Sequence, residues 1–162
     1  MKTFILISFI ISVVICVNGQ QIHVTINDGF AHKPFKTNPS PDNISSILGD
    51  SFSTEKKPTM NKHSGAIDTL IIYNSKNNEI VLLKTSDNVL FVKAIITDCN
   101  VVLESGIRIG LSKTEVIEKL KINKDHWGSN PLIIVDSSEY FYHSFYFKDN
   151  LLIKIILDSS PD

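Results

Sequence analysis

Apolar and polar residues alternate along most of the chain after residue 21, and this period of two is typical of β-strands. Two short segments instead have the apolar spacing of a helix. The first is 41–49, which ends at Gly49, and the second is 112–120, where Ser112 and Glu115 have the spacing of a capping box. The pattern predicts strands at 22–27, 67–73, 79–85, 89–97, 100–109, 131–135, 140–147 and 151–157.

The order of these elements predicts two related halves. Each half has a strand, a short helix, a variable polar loop and three strands, and its closing hairpin turns at an Asp-Asn pair (87–88 and 149–150). We therefore predict an α+β fold of duplicated βαβββ units, with short helices packed on one face of the antiparallel sheet or sheets. The repeats would be 20–98 and 99–162, and the loop 54–66 would be a flexible insertion. Two unrelated meanders of similar length are the alternative.

The N-terminal residues 1–19 have the pattern of a secretory signal peptide. Lys2 provides a positive start, the apolar run extends from Phe4 to Val17, and Gly19 precedes the expected cleavage site. The run has about 14 residues, fewer than the ~20 that cross a bilayer. We predict export to the periplasm or the cell exterior, with no membrane span in the mature chain. Lipidation of Cys16 is the alternative, although a large branched residue precedes it.

Charge and composition narrow the range of functions. The net charge is −1 and Arg108 is the only arginine, so the chain lacks the basic surface that nucleic-acid binding requires. The five histidines are scattered without cysteines at ligand spacing, and no phosphate-binding loop, nucleophile elbow or dinucleotide motif is present. We predict no enzymatic activity, no catalytic residues, no metal site and no cofactor. His126, which lies between Asp125 and Trp127, is the residue on which a small hydrolase would depend.

The predicted strand 140–147 carries aromatic residues on both faces. Alternation places Phe141, His143, Phe145 and Phe147 on one face and Tyr140, Tyr142, Ser144 and Tyr146 on the other. The next strand would extend the phenylalanine face with Leu151, Ile153, Ile155 and Leu157. Tyrosine is common in protein interfaces because it combines a large apolar ring with a hydroxyl group. The predicted partner-binding residues are Tyr140, Tyr142 and Tyr146, with Trp127 and Lys154 at the rim; an ordinary solvent-facing sheet is the alternative.

The segment 104–120 resembles a known motif. A strand leads into Gly110-Leu111-Ser112-Lys113, and Glu115-Val116 and the helix-ending Leu120 follow. This pattern is similar to the β-lactamase-inhibitor-protein-like superfamily and to the SmpA/OmlA-type small outer-membrane lipoproteins. The resemblance implies an exported α+β unit that occurs twice in tandem. Residues 38–41 (Asn-Pro-Ser-Pro) depart from the motif in the first half, and the inhibitor's paired cysteines are absent.

Together, the pattern and the resemblance favour an exported, non-catalytic binding or inhibitor-like module. Such a module would offer one face of its sheet to a protein or to another cell-envelope component. Inhibition of a β-lactamase is not implied, because the shared residues serve structure. A cell-envelope assembly or structural factor is the second hypothesis, and the hydrolase that uses His126 is the third.

Overall fold

Eight strands, joined in a single sheet, dominate the computed structural model, which describes residues 24–62, 64–122, 130–138 and 140–159. The predicted signal peptide and residues 123–129, which include His126 and Trp127, lie outside the described residues. The strands are β1 (Val24–Ile26), β2 (Ser53–Met60), β3 (Ile67–Ser75), β4 (Asn78–Lys84), β5 (Val89–Ile96), β6 (Leu132–Val135), β7 (Phe141–Lys148) and β8 (Leu151–Ser159). The helices are α1 (Asp28–His32), α2 (Ser45–Leu48) and α3 (Lys113–Lys119), and a 3₁₀ turn spans Glu104–Gly106.

The strand order is β1-β6-β7-β8-β5-β4-β3-β2, and every neighbouring pair is antiparallel except β1 and β6. The prediction of an α+β fold of duplicated βαβββ units is wrong, because the fold is mainly β with three short helices of five, four and seven residues. The first strand of the predicted second unit, 100–109, is not a strand. The chain turns there at Ser105 and Gly106, which both have positive φ (60° and 72°).

Strand β2 occupies the segment that the sequence analysis assigned to a flexible insertion. All eight of its residues pair with β3, from Ser53 opposite Asn74 to Met60 opposite Ile67. Its side chains are exposed on both faces, with only Thr59 half-buried. Because an edge strand of this kind needs no apolar face, its sequence shows no alternation that would predict it.

The helices are short, and their ends follow local sequence signals. Helix α1, which was not predicted, begins at Asn27, whose side chain accepts a hydrogen bond from the Phe30 N–H (3.2 Å). Helix α2 is shorter than the predicted segment 41–49 but ends as expected at Gly49, where φ is 77°. Among the described residues, no helix is both long and apolar enough to cross a membrane.

Helix α3 begins at the predicted capping box. The Ser112 hydroxyl accepts a hydrogen bond from the Glu115 N–H (3.3 Å), and the Glu115 carboxylate accepts one from the Ser112 N–H (2.8 Å). The Ser112 hydroxyl also donates to the Glu115 carboxylate (2.7 Å), and this bond and the one from the Ser112 N–H lower the pKa of Glu115. Because two N–H groups at the start of the helix are satisfied, the box fixes where the helix begins.

Replacing Ser112 with Ala should therefore lower the free energy of unfolding by about 1 kcal/mol, since the helix loses its N-cap. Urea denaturation monitored by circular dichroism measures this change. Ser86, an exposed residue of the β4–β5 turn, provides the matched control, and Ser86→Ala should change stability by less than ~0.5 kcal/mol. Equal stability of the two variants would contradict the assigned cap.

The hydrophobic core lies on one face of the sheet, which we call the inner face. The buried apolar residues of β3 to β8 in this core are Ile71, Tyr73, Ile80, Leu82, Ala94, Ile96, Leu132, Ile134, Phe145, Phe147, Leu152, Ile155 and Leu157. Cross-strand pairing places these side chains on the same face. The helices and the segment 98–122 cover the inner face with residues such as Phe30, Leu103, Ile107 and Val116. The opposite face is the outer face.

Candidate functional site

The outer face carries rows of side chains that continue from strand to strand. One row across six strands starts at β6 and consists of Val135, Tyr142, Asp158, Lys93, Val81 and Ile72. The adjacent row begins with Ile133, Ser144, Ile156 and Ile95. Residues of the core cluster that come from the strands all belong to the inner face. Within the described parts of the chain, the outer face therefore has no second hydrophobic layer packed against it.

We use the name tyrosine face for the part of the outer face around β7 and β8. It consists of Ile95, Ile133, Tyr142, Ser144, Tyr146, Lys154 and Ile156. The Tyr142 side chain is 43% exposed, and the other members are half-buried by their neighbours in the sheet. An apolar sheet surface with accessible tyrosines can bind another apolar surface while the hydroxyl groups keep hydrogen bonds to water or to a partner.

The structure brings together three of the five predicted partner-binding residues. Tyr142 and Tyr146 share the outer face, and the Lys154 ammonium lies 5.8 Å from the centre of the Tyr146 ring. Tyr140 precedes β7 and lies elsewhere, at the rim of a pocket described below. Trp127 is outside the described residues. The alternation predicted for this strand thus holds from Phe141 to Phe147, and only Tyr140 lies outside the strand.

A β-bulge changes the predicted alternation in β8. The register shifts opposite Tyr146 and Phe147, so that Leu152, and not Leu151 or Ile153, faces the core. Leu151 and Ile153 are exposed as a result (48% and 45%). The bulge therefore adds aliphatic surface near Tyr146. Sequence alternation had assigned these two aliphatic side chains to the core.

A pocket of about 460 Å³ opens at the end of the sheet where β5 and β7 begin and β8 ends. Its volume lies within the range of small-molecule sites. Three chain segments form the apolar walls: Pro34, Phe35 and Pro39; Val89, Leu90 and Phe91; and Tyr140 and Phe141. The polar lining includes His32 and Ser138. The pocket therefore suits a ligand that is largely apolar and has a polar group at one end.

Three residues with side chains able to bind metal ions converge beside this pocket. Asp28 and His32 lie one turn apart on α1, and Asp136 directly follows β6. Each offers a ligand atom, and these atoms all lie within 4.8 Å of one another. The His32 Nε2 atom is 3.8 Å from the nearer Asp136 oxygen. The His32 side chain is 49% exposed, whereas the Asp136 side chain is fully buried.

The Asp136 carboxylate is held by the turn that connects β6 to β7. Burial raises its pKa, but hydrogen bonds from the Ser138 hydroxyl and from the N–H groups of Phe141, Ser138 and Tyr140 outweigh this effect and keep the pKa at about 2. The Phe141 N–H lies 2.9 Å from the carboxylate. Asp136 is therefore negatively charged at neutral pH, although it has no contact with solvent.

The sequence analysis did not find this cluster and expected no metal site. One local signal was available, since Asp28 and His32 have the i, i+4 spacing that places two side chains on one helix face. That signal depends on knowing that 28–32 is helical, and DGFAH is too short to show apolar periodicity. The third member, Asp136, comes next to α1 only because β1 pairs with β6.

Comparisons with protein-family models, curated proteins and solved structures found no match to this chain. The similarity of the segment 104–120 to the β-lactamase-inhibitor-protein-like superfamily therefore stays a prediction. The outer face, the pocket and the Asp-His-Asp cluster are the features of the chain that bear on its function.

Proposed function

We propose that this chain is an exported, non-catalytic binding module and that its tyrosine face contacts a protein partner. One observation carries the proposal: the tyrosine face presents isoleucine and tyrosine side chains that no described part of the chain covers with a hydrophobic layer. Contiguous apolar surface that stays accessible to solvent marks interaction sites in proteins. Its accessible aromatic residues, Tyr142 and Tyr146, belong to the types that dominate binding energy in interfaces.

The charges around the tyrosine face specify the chemistry of the partner. Lys154 lies against Tyr146, and Lys148, two residues further along β7, is exposed. The nearest acidic residue of the outer-face row, Asp158, lies opposite Lys93 on the neighbouring strand. Lys148 and Lys154 outnumber the one acidic residue of the adjoining turn, Asp149, so the Tyr146 end of the face has a net positive charge. A partner with an apolar patch bordered by Asp or Glu side chains would be complementary to it.

The edges of the sheet are less suited to binding than this face. Strand β1 has only three residues, and β2 carries Lys56, Lys57 and Pro58 in succession. Lysine and proline on an edge strand oppose the addition of a further strand. A partner that extends the sheet by backbone pairing is therefore disfavoured, and side-chain contacts on the outer face are the better route.

Export is the second part of the proposal. It is supported by the positive residue, the apolar run and the small residue before the expected cleavage site in residues 1–19. A binding module in the periplasm or outside the cell would meet partners at the cell envelope. Fractionation of the source cells tests this part, since the mature chain should start near Gln20 and appear in the exported fraction.

The binding prediction is tested with the double variant Tyr142→Ala/Tyr146→Ala. The wild-type protein, used as bait in exported and envelope extracts, should capture a discrete partner in a fixed ratio, identified by mass spectrometry. The double variant should bind that purified partner at least ~10-fold more weakly, because two aromatic anchors are lost. Calorimetric titration gives both affinities.

The matched control removes a similar amount of apolar surface far from the tyrosine face. Met60 and Ile67 pair across β2 and β3 and are 72% and 76% exposed. Met60→Ala/Ile67→Ala should leave the affinity unchanged, and both double variants should keep the circular dichroism spectrum of the wild type. If the tyrosine variant binds the partner as tightly as the wild type, the tyrosine face is not the binding site.

A further inference from the structure

We infer that Asp28, His32 and Asp136 bind one divalent transition-metal ion of the zinc type. The three residues come from two distant parts of the chain, α1 and the end of β6, and meet beside the apolar pocket. The inference does not depend on the tyrosine face, which lies on the other side of the sheet. It depends on the spacing, the charge and the hydrogen bonds of the cluster.

The spacing of the ligand atoms is close to that of a metal site. Zinc binds histidine nitrogen and carboxylate oxygen at ~2.0–2.2 Å, so two atoms on one ion lie roughly 3–4 Å apart. The His32 Nε2 atom already lies 3.8 Å from Asp136. The largest separation in the cluster is within 4.8 Å, and rotation of the exposed side chains of Asp28 and His32 can close the difference.

The negative charge of the two carboxylates also favours a bound cation. Two carboxylates face one imidazole, and in the part of the chain that the structure describes no lysine or arginine forms an ion pair with either carboxylate. Asp136 is fully buried, and buried charges in proteins are paired with an opposite charge or bind metal ions. A divalent ion would supply this opposite charge to both carboxylates.

Backbone N–H groups donate hydrogen bonds to both carboxylates and fix their orientation, as is usual for the ligands of metal sites. The Phe141 N–H donates to one oxygen of Asp136 (2.9 Å), and the Ser137 N–H donates to Asp28 Oδ1 (2.6 Å). The connection between β6 and β7 thus holds both carboxylates in place. Since a carboxylate has about four lone-pair sites, Asp28 keeps positions that are free to bind an ion. Asp136 already accepts four hydrogen bonds and would exchange one of them, such as that of the Ser138 hydroxyl, for the ion.

The set of donor atoms selects the type of ion. One imidazole nitrogen with two carboxylate oxygens suits zinc and related transition-metal ions, whereas calcium and magnesium prefer oxygen ligands alone. Three protein ligands leave at least one position for water or another ligand. Because His32 also lines the pocket, the ion would lie at the pocket rim.

The test is a calorimetric titration of the untagged protein with Zn²⁺ alone. We expect one ion per chain. The variants His32→Gln and Asp28→Asn should each bind at least ~10-fold more weakly, because each loses one ligand. Titration with Co²⁺ alone should produce visible absorption bands of a low-coordinate site in the wild type and not in the variants.

Asp149→Asn is the matched control, because Asp149 is exposed in the β7–β8 turn, at the end of β7 opposite to the pocket. It should bind Zn²⁺ as the wild type does. Asp28 and His32 are exposed, so their variants should stay folded, and circular dichroism checks this. The inference is overturned if the folded wild type shows no saturable binding, or if both variants keep the wild-type affinity.

Discussion

Replacing Phe145 with Ala is expected to lower the free energy of unfolding by about 3–5 kcal/mol. The Phe145 side chain is fully buried at the centre of the sheet. It lies opposite Leu132 and Ile155 on the two neighbouring strands, and its ring centre is 5.8 Å from that of Phe30 in α1. Its removal would leave a cavity between the sheet and α1 that these neighbours cannot fill without moving the backbone. Urea denaturation followed by circular dichroism gives the value.

Tyr142 on the same strand is the control for this substitution. It is aromatic like Phe145 but belongs to the outer face, so Tyr142→Ala should cost less than ~1.5 kcal/mol. If the two variants are equally stable, the assignment of the inner and outer faces is incorrect.

Lowering the pH below about 6.5, the pKa of an unperturbed histidine, is expected to destabilise the protein through His143. This side chain is fully buried between α1 and the sheet. Its Nε2 atom lies 2.9 Å from the Ala31 carbonyl oxygen, and its Nδ1 atom accepts a hydrogen bond from the Asp158 N–H (3.4 Å). The neutral ring with its proton on Nε2 satisfies both contacts, whereas the charged ring would place an N–H against the Asp158 N–H.

Burial lowers the pKa of His143 in the folded protein. Hydrogen bonds to the backbone of Ala31 and Tyr142 and the charges of Asp158 and Asp136 oppose this effect without cancelling it. The unfolded chain therefore binds the proton at a higher pH than the folded chain does. The stabilisation is complete above the unfolded pKa and is lost as the pH falls through the folded pKa, with a slope of up to ~1.4 kcal/mol per pH unit.

Urea denaturation between pH 7.5 and 5, in a buffer with a metal chelator, measures this slope. His143→Gln should reduce it, because an amide can bond the Ala31 carbonyl but does not titrate. Equal slopes in the wild type and in His143→Gln would show that another group causes the pH dependence.

Elements with a strong local signal were predictable from the sequence. The alternation of Phe145 and Tyr146 gave the two faces of β7, and the capping box at Ser112 and Glu115 gave the start of α3. In both cases the side chains that stabilise the element are close neighbours along the chain. The fold class was not predictable in this way, because the apolar residues Val101, Leu103 and Ile107 alternate as in a strand but lie on an irregular segment of the core.

The candidate sites were predictable only in part, for the same reason. Tyr142, Tyr146 and Lys154 come together because they belong to adjacent strands of a hairpin. The cluster of Asp28, His32 and Asp136 requires a pairing between β1 and β6 that no local pattern indicates. Edge strand β2 was missed because tertiary pairing, and not side-chain burial, holds it in place.

The parallel pairing of β1 with β6 also determines the order in which the chain can fold. The N-terminal elements make their contacts far downstream, as in the bond between His143 and the Ala31 carbonyl, which spans 112 positions. Strand β1 therefore has no strand to pair with until β6 has been synthesised. Closing such a long loop is slow. Strand β1 thus joins the sheet late, after most of the chain has been synthesised.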